Sequence, residues 1–287
     1  MRWLVTGAGG MLGHDTVHEL RGRGEDVTGL TRAALDITEP AAVQRALSDH
    51  RPDVVVNCAA YTAVDAAETD EDRALLVNGE GPRQLARACA ARGARLIHVS
   101  TDYVFSGEAR TSPYPEDHPP APRTAYGRAK LAGERAVLAE LPGGSTVLRT
   151  AWLYGAHGRN FVRTMLELEA TRDTVDVVDD QRGQPTWSAD VAARIADLGA
   201  TAASGVFHAT NAGEATWYEL AREVFRQTGA APDRVRRTDG RAFVRPAPRP
   251  AYSVLGHDRW RTAGLAPLRD WRSALQEALP HIRKETS

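Results

Sequence analysis

Short apolar segments alternate with longer segments of helical period through the first half of the chain. The apolar segments predict strands at residues 2–6, 26–30, 53–57, 95–100 and 146–149. The periodic segments between them predict helices at residues 11–22, 40–50, 70–92 and 124–140. Continuous apolar strands that alternate with helices are typical of a parallel sheet covered on both faces. We therefore predict the α/β class, with a doubly wound parallel sheet of the Rossmann type.

The second half of the chain is less regular. Its periodicity predicts helices at residues 161–170, 189–203, 217–228 and 270–282, with short strands at 175–178 and 206–209. Two proline-rich stretches, residues 110–123 and 245–250, lie between well-patterned elements. We interpret both as ordered active-site loops and not as flexible linkers, because long ordered loops in compact domains are often functional. The acidic cluster at residues 65–72 is interpreted as a solvated helix start, where carboxylates suit the helix dipole.

Composition limits the kinds of binding partner and the cellular compartment that we expect for this protein. A formal charge of −1 over 287 residues, with mixed signs, gives no reason to expect a nucleic-acid groove or an anionic-membrane surface. The N-terminal apolar segment is too short for a signal peptide, and no run approaches the ~20 apolar residues that span a bilayer. Cys58 and Cys89 have no ligand-like spacing and are typical of buried thiols in a reducing compartment. We predict a cytoplasmic location.

The first predicted strand runs directly into the glycines that open the first predicted helix. Gly7, Gly10 and Gly13 recur at intervals of three residues. Glycine permits a tight turn and a close backbone approach to a pyrophosphate, which then lies at the helix N-terminus. A merely structural turn is the alternative, but the position directly after an apolar strand favours a dinucleotide site.

The end of the second predicted strand bears on the choice of dinucleotide. An acidic residue there would hydrogen-bond the ribose 2′-hydroxyl of NAD. This chain has Thr31 and Arg32 instead, and an arginine can pair with a 2′-phosphate. NADPH is therefore favoured over NADH, although Arg32 is also compatible with a plain surface charge.

Tyr126 and Lys130 form the most informative pair in the chain. Lys130 is one of only two lysines, the other being Lys284, in a chain that otherwise uses arginine. On a helix, residues four apart share a face, so the ammonium can lie beside the phenol. We expect this cation to lower the pKa of Tyr126 toward neutrality, which suits a general acid/base. Two solvated residues on a helix surface are the alternative.

Several motifs in order give the chain a family resemblance. It resembles the dTDP-4-dehydrorhamnose reductase family of the extended short-chain dehydrogenase/reductase superfamily. The stretches that carry the resemblance lie at residues 5–13, 35–38, 57–65, 100–105, 126–130, 148–155, 180–186 and 249–253. One position distinguishes this chain from the related 4,6-dehydratases, which carry two acidic residues directly after the threonine that corresponds to Thr101. Here Thr101-Asp102 is followed by Tyr103, which favours simple reduction.

The resemblance implies roles for individual residues. Tyr126 would protonate the C4 oxygen of a keto sugar, Thr101 would donate a second hydrogen bond to that oxygen, and Lys130 would hold the nicotinamide ribose. A ketone that accepts hydride becomes an alkoxide, so these donors agree with the chemistry. The implied cofactor-binding residues are Gly7, Gly10, Met11, Leu12, Gly13, Arg32, Asp36, Ile37, Ala59, Ala60, Tyr61, Tyr126 and Lys130. The implied substrate-binding residues are Thr101, Asp102, Trp152 and Arg249.

Simpler interpretations exist for three of these substrate residues. Trp152 could be core packing, Asp102 a strand-end cap and Arg249 a solvated loop residue. For the whole chain there are two alternatives to a dTDP-4-dehydrorhamnose reductase. One is a reductase of another dTDP-4-keto-6-deoxysugar, from an antibiotic pathway, including branched or ring-contracted sugars. The other is a non-catalytic dinucleotide-binding regulatory subunit, which would not need Thr101, Tyr126 and Lys130 together.

The resemblance also implies an architecture. Residues 1–150 would form mainly the dinucleotide-binding Rossmann domain. Residues 151–287 would form mainly a smaller mixed α/β part that binds the nucleotide sugar, with chain crossings back to the first. Family members can be dimers, so a homodimer is a prediction. No metal-ligand spacing is present, and we predict no metal.

Overall fold

The computed structural model describes residues 1–108 and 110–284. In chain order its strands are β1 (Arg2–Thr6), β2 (Asp26–Leu30), β3 (Val54–Asn57), β4 (Arg95–Thr101), β5 (Ser145–Thr150), β6 (Leu153–Tyr154), β7 (Val175–Val178), β8 (Arg182–Gly183), β9 (Thr186–Trp187), β10 (Gly205–His208), β11 (Ala215–Thr216) and β12 (Val235–Thr238). The helices are α1 (Met11–Gly22), α2 (Pro40–His50), α3 (Val64–Ala67), α4 (Glu71–Leu75), α5 (Gly81–Ala90), α6 (Ala125–Glu140), α7 (Phe161–Thr171), α8 (Ser188–Gly199), α9 (Trp217–Thr228), α10 (Asp258–Thr262) and α11 (Trp271–Lys284).

Six strands form one parallel sheet in the order β10-β5-β4-β3-β1-β2. Successive side chains of a strand point to opposite faces, and the buried clusters follow that alternation. Val54 and Val56 of β3 pack with α1 and α8, whereas Val55 packs with α2 and α5. The continuous apolar strands are therefore buried on both sides, and the predicted doubly wound sheet is confirmed.

The remaining strands form three two-stranded sheets, β6-β9, β7-β12 and β8-β11. They lie with α7, α9 and α11 around a separate cluster of buried side chains, which includes Trp187, Phe225 and Trp271. β10 also comes from the second half of the chain, yet it extends the main sheet beyond β5. The larger sheet is thus completed by a strand that follows, in sequence, both strands of β6-β9 and one strand of each of the other two small sheets.

One predicted helix differs in a way that affects the site. The helix expected at residues 70–92 is α4, a π-helical turn at Leu76–Glu80, and α5. A π-helical turn carries an extra residue, and hydrophobic periodicity does not reveal it. Within the described ranges, no helix combines the length and the apolar character needed to cross a membrane.

Candidate active site

One cleft of about 1430 Å³ runs along the carboxyl edge of the main sheet. This volume exceeds that of a pocket for a single drug-sized ligand, and doubly wound folds bind ligands at this edge. The cleft walls include every residue to which the sequence assigned a catalytic or binding role. These are Gly7, Gly10, Met11, Leu12, Gly13, Arg32, Asp36, Ile37, Ala59, Ala60, Tyr61, Thr101, Asp102, Tyr126, Lys130, Trp152 and Arg249.

Close backbone contacts shape the glycine loop. Gly7 has a φ of 65°, and a Cβ there would lie 2.6 Å from the Ala59 nitrogen. A Cβ at Gly13 would lie 2.2 Å from the Gly7 carbonyl oxygen. At Gly10 the nearest atom to such a Cβ is the same oxygen, at 3.3 Å, and no described side chain caps the start of α1. Packing therefore requires Gly7 and Gly13, while the first turn of α1 keeps its N–H groups available to an anion.

The cleft wall beyond β2 is more basic than the sequence predicted. Arg32 lines it, and so does Arg73 from α4. The hydroxyl and backbone N–H of Thr38 donate to Asp36 at 2.7 and 2.9 Å and hold the pKa of that carboxyl below its usual range, with smaller effects from the two arginines. Sequence reasoning missed Arg73, because nothing in its charged helical stretch marks one arginine as facing the cleft.

The segment after β3 is held by an asparagine from the π-helical turn. The Tyr61 N–H donates to Oδ1 of Asn78 at 2.8 Å, and Nδ2 of Asn78 donates to the Tyr61 carbonyl at 2.9 Å. Asn78 is fully buried. The Ala59 N–H donates to Oδ1 of Asn57 at 3.2 Å. These bonds fix the backbone at residues 59–61, and no sequence signal marked Asn78 for this task.

Thr101, Tyr126 and Lys130 meet in the cleft from two elements. Thr101 is the last residue of β4, whereas Tyr126 and Lys130 lie one turn apart near the start of α6. Lys130 is 2% exposed, and its Nζ donates to the Val99 carbonyl at 2.6 Å. The Tyr126 ring packs edge-on against Tyr103, with the ring centroids 5.7 Å apart. The arrangement places a phenol, a hydroxyl and an ammonium along one wall.

The predicted effect of Lys130 on Tyr126 is wrong in this structure. Burial raises the pKa of Tyr126 to about 12, the Thr101 hydroxyl lowers it only in part, and Asp102 raises it further. Burial also lowers the pKa of Lys130 to about 8, against the attraction of Glu134. Desolvation of both groups therefore dominates. At neutral pH the phenol is protonated, which is the form that can donate a proton.

Asp102 is a carboxyl group held at low exposure in the cleft. Burial raises its pKa to about 6, an effect that the hydroxyls of Ser253 and Thr101 partly offset. Oδ1 accepts from the Thr101 hydroxyl at 3.0 Å. Oδ2 is buried and has no hydrogen-bond partner among the described residues. A buried polar atom without a partner needs an explanation, and a ligand hydroxyl can satisfy it.

Trp152 has a backbone conformation that few large residues adopt. Its φ is 46°, and its ring stacks on Trp217 with the centroids 3.5 Å apart. A Cβ at Gly183 would lie 2.5 Å from the Trp152 indole, so a glycine is needed behind it. Strain of this kind persists only where the surroundings impose it, often at functional sites. Sequence reasoning missed Trp217, because the pattern identifies it only as the first residue of a predicted helix.

Arg249 lies on the cleft wall in an ion pair. Its Nη2 is 2.7 Å from Oδ2 of Asp65, and Nη1 of Arg245 is 3.4 Å from the same oxygen. Both arginines line the cleft. The acidic cluster does supply helix starts, with Asp65 in the first turn of α3 and Glu71 and Asp72 in that of α4. The Asp65 carboxylate in addition binds two arginines distant in sequence, which the sequence did not predict. Sequence reasoning missed Arg245, although it opens the predicted loop at 245–250.

The two proline-rich stretches differ in position. Residues of the second stretch, including Arg245 and Pro250, line the cleft as predicted. The active-site assignment of the first stretch is wrong for its described residues. Its Tyr114 is buried against Phe105 and the strand-like segment at Val254–Leu255, away from the cleft. An apolar packing role explains the order of this stretch.

The fold also brings together a group that sequence spacing did not show. The ligand atoms of His14, Asp15 and His157 all lie within 4.8 Å of one another, near the start of α1. The two imidazole centroids are 3.6 Å apart. None of these three residues lines the cleft. His14 lies on α1 and is exposed.

Fold and site together define a class of protein. A parallel Rossmann sheet, a glycine loop that opens its first helix, and a threonine, tyrosine and lysine at the carboxyl edge are typical of NAD(P)-dependent oxidoreductases of the extended short-chain dehydrogenase/reductase class. A family model described as "RmlD substrate binding domain" matches residues 1–284. The chain belongs to this family.

Known relatives cover almost the whole chain. A protein of Streptomyces antibioticus described as a probable dTDP-4,6-dihydroxy-2-methyloxan-3-one 4-ketoreductase is 64% identical over 98% of this chain and 96% of its own. A dTDP-4-dehydrorhamnose reductase of Streptomyces griseus is 60% identical over 98% and 94%. The crystal structure of a dTDP-4-dehydrorhamnose reductase from Bacillus anthracis in complex with NADP matches with a TM-score of 0.93 and 37% identity, over 97% and 98% of the two chains.

Proposed function

We propose that this enzyme uses NADPH to reduce the C4 ketone of a dTDP-4-keto-6-deoxysugar. The leading substrate is dTDP-4-dehydro-6-deoxy-L-mannose, which would give dTDP-L-rhamnose. One observation carries the proposal: Thr101, Tyr126 and Lys130 line the same cleft as the glycine loop at residues 7–13. The names of the relatives from S. griseus and B. anthracis support the same reaction.

The residues around the glycine loop fit a dinucleotide phosphate. The first turn of α1 offers its N–H groups to a pyrophosphate, and Gly10 leaves room for it. Arg32 and Arg73 on the same wall suit a 2′-phosphate, which favours NADPH with NADH as the alternative. The NADP in the B. anthracis relative supports this choice. When bound, the nicotinamide supplies the hydride.

Each of the three catalytic residues has a distinct task in this proposal. Tyr126, protonated at neutral pH, donates its proton to the oxygen at C4 as negative charge develops there. Thr101 gives that oxygen a second hydrogen bond by turning its hydroxyl from Asp102. Lys130 places a positive charge behind the reacting groups and is available to a ribose hydroxyl.

Other residues of the cleft suit the nucleotide sugar. Oδ2 of Asp102 can accept from a sugar hydroxyl, and the strained Trp152, stacked on Trp217, forms a flat surface beside it. Arg249 and Arg245 are placed to pair with a diphosphate, exchanging Asp65 for the ligand.

A second candidate keeps the chemistry and changes the sugar. The S. antibioticus relative, at 64% identity, is named for a different dTDP-linked ketone, and a 55% identical protein of Streptomyces niveus is named dTDP-4-keto-6-deoxy-D-glucose reductase. These names favour another dTDP-4-keto-6-deoxysugar as the alternative substrate. That this sugar belongs to an antibiotic pathway, or is branched or ring-contracted, stays a prediction.

We also propose the division of labour predicted from the sequence. Residues 1–150 would serve mainly the dinucleotide and residues 151–287 mainly the nucleotide sugar. A homodimer and a cytoplasmic location stay predictions, which light scattering and cell fractionation would test.

The test follows NADPH and NADH absorbance with dTDP-4-dehydro-6-deoxy-L-mannose and dTDP-4-keto-6-deoxy-D-glucose in parallel. We expect the wild type to oxidise NADPH faster than NADH with one of them, and Tyr126→Phe to lower kcat by roughly 10²- to 10⁴-fold. Tyr154→Phe is the matched control, because its buried hydroxyl has no partner among the described residues and lies outside the cleft. Wild-type turnover by Tyr126→Phe would overturn the mechanism, whichever sugar is used.

A further inference from the structure

A buried ion pair lies behind the catalytic wall. The side chains of Glu134 and Arg149 are 2% and 4% exposed. Arg149 binds the carboxylate with both ends of its fork, Nε to Oε1 at 2.9 Å and Nη2 to Oε2 at 2.7 Å. Burying two charges costs several kcal/mol per ion, and an apolar pair of similar volume is often as stable or more so. Stability alone therefore does not explain this pair.

The Glu134 carboxylate joins the elements that carry the site. Glu134 follows Lys130 by one helical turn on α6. Its Oε1 accepts from the hydroxyl of Ser100 at 2.6 Å, and Ser100 directly precedes Thr101 on β4. Arg149 comes from the neighbouring strand β5. One carboxylate thus connects the end of β4 that bears Thr101 with the helix that bears Tyr126 and Lys130.

Several titratable groups lie around this connection. Glu134 attracts the Lys130 ammonium, which burial otherwise disfavours. Among the described residues, the other titratable groups near Lys130 or the pair are Cys58 after β3, His98 on β4, Asp102 directly after β4, Tyr126 on α6 and His208 on β10. Burial lowers the pKa of His98 and His208 well below neutrality and raises that of Cys58 to about 12, so these three are neutral at pH 7. Glu134 is then the carboxylate that balances Lys130 from within its own helix.

We propose that Glu134 is a positioning residue for the reduction, whose carboxylate, held by Arg149 and Ser100, sets the place of Lys130 and of the Thr101 strand end relative to Tyr126. This inference rests on the proposed function. Neither Glu134 nor Arg149 lines the cleft, so they act through Lys130 and Thr101 and touch no ligand. The Glu134 carboxylate also favours the charged form of Lys130, against the effect of burial.

The scarcity of lysine makes a direct test practical. With Lys130 and Lys284 the only lysines, protein labelled with ¹³Cε-lysine gives two side-chain resonances, and Lys284→Arg assigns them. The variant Glu134→Gln/Arg149→Met removes the pair without leaving a lone buried charge. We expect it to lower the pKa of Lys130 by about one unit and to move the alkaline limb of the kcat/KM profile by the same amount. An unshifted Lys130 pKa in the folded double variant would overturn the proposal.

A milder variant tests the connection to β4 if the double variant fails to fold. Ser100→Ala removes the hydrogen bond to Glu134 from a residue that also lines the cleft. It is expected to lower kcat about tenfold with an unchanged KM for NADPH, because small displacements of reacting groups are costly. Ser145→Ala is its control: this buried hydroxyl on β5 donates to the Leu141 carbonyl, at the other end of the sheet. A wild-type kcat in Ser100→Ala overturns the positioning role. Failure of the proposed function looks different, since the wild type would then not oxidise NADPH with any keto sugar, while the Lys130 titration would still report on the pair.

Discussion

Two arginine–carboxylate pairs flank the site, and they differ mainly in exposure. Glu134 and Arg149, behind the catalytic wall, are 2% and 4% exposed. Asp65 and Arg249, on the cleft wall, are 31% and 21% exposed. The closest nitrogen–oxygen distance is 2.7 Å in both. Arg149 binds its carboxylate with two nitrogens and Arg249 with one, and the access of water and ligand differs as well.

Burial decides which arginine can be recruited by a ligand. Arg149 has no route to the cleft, and separating it from Glu134 would leave a charge in a low-dielectric interior. Arg249 can exchange Asp65 for a phosphate at little cost, because water already reaches the pair. The inner pair is therefore suited to hold the framework and the outer pair to bind a substrate that comes and goes.

The largest effect is expected when one residue of the buried Glu134–Arg149 pair is removed. Arg149→Met leaves Glu134 buried and unpaired, and we expect it to lower the free energy of unfolding by about 3–5 kcal/mol. Urea denaturation followed by circular dichroism measures this. Adding Glu134→Gln to the same chain should restore most of the loss. A cost below ~1 kcal/mol for the single variant would show that the inner pair is as replaceable as the outer one.

Asp102 extends the comparison to a buried carboxyl group that forms no salt bridge within the described part of the chain. Its pKa is raised from the usual 3.8 to about 6, so the folded state binds more protons than the unfolded state between these values and loses stability as the pH rises through them. Above pH 6, Asp102→Asn should raise the free energy of unfolding by up to about 3 kcal/mol. At pH 4 the gain should vanish. Urea unfolding at pH 4 and pH 8 tests the sign, and an equal effect at both values would contradict it.

The outer pair should affect binding more than folding. We expect Arg249→Ala to raise KM for the nucleotide sugar about tenfold, to leave kcat nearly unchanged and to weaken the dependence of KM on salt. Arg237→Ala, an exposed arginine paired with Asp179 outside the cleft, is the control. Equal KM values in the two variants would remove Arg249 from the diphosphate site.

The smallest effect is expected for Asp65. Its pair with Arg249 is partly exposed, so Asp65→Asn should change the free energy of unfolding by less than about 1 kcal/mol. The same urea titration as for Arg149→Met gives the value. A loss comparable to that of Arg149→Met would mean that exposure does not separate the two pairs.

Local pattern in the sequence was sufficient for the cleft and for the five strands of the main sheet that come from the first half of the chain, but not for the position of β10. Strands such as β3 are apolar on both faces, and a glycine loop after a strand has few other uses, so element and position follow together. The Tyr126/Lys130 spacing also placed both side chains on one face of α6. The family and its reductase chemistry followed from motifs in order along the chain.

What sequence could not supply depends on contacts between distant residues. Asp65 and Arg249 are 184 positions apart, and no local rule pairs them. The pKa of Tyr126 depends on how deeply the fold buries it, which outweighed the neighbouring lysine. The stretch at 110–123 was assigned to the site because prolines mark loops but do not say which surface a loop covers.

The π-helical turn at Leu76–Glu80 makes the exact number of residues in this segment important for the site. A π-helical turn takes up one residue more than an α-helical turn. Losing one residue from it would leave a regular α-helical turn and would withdraw Asn78 from the Tyr61 backbone. The rim at residues 239–245, by contrast, carries the solvent-facing Phe243 and Val244. Variation by insertion and deletion should therefore be absent from the former and tolerated in the latter.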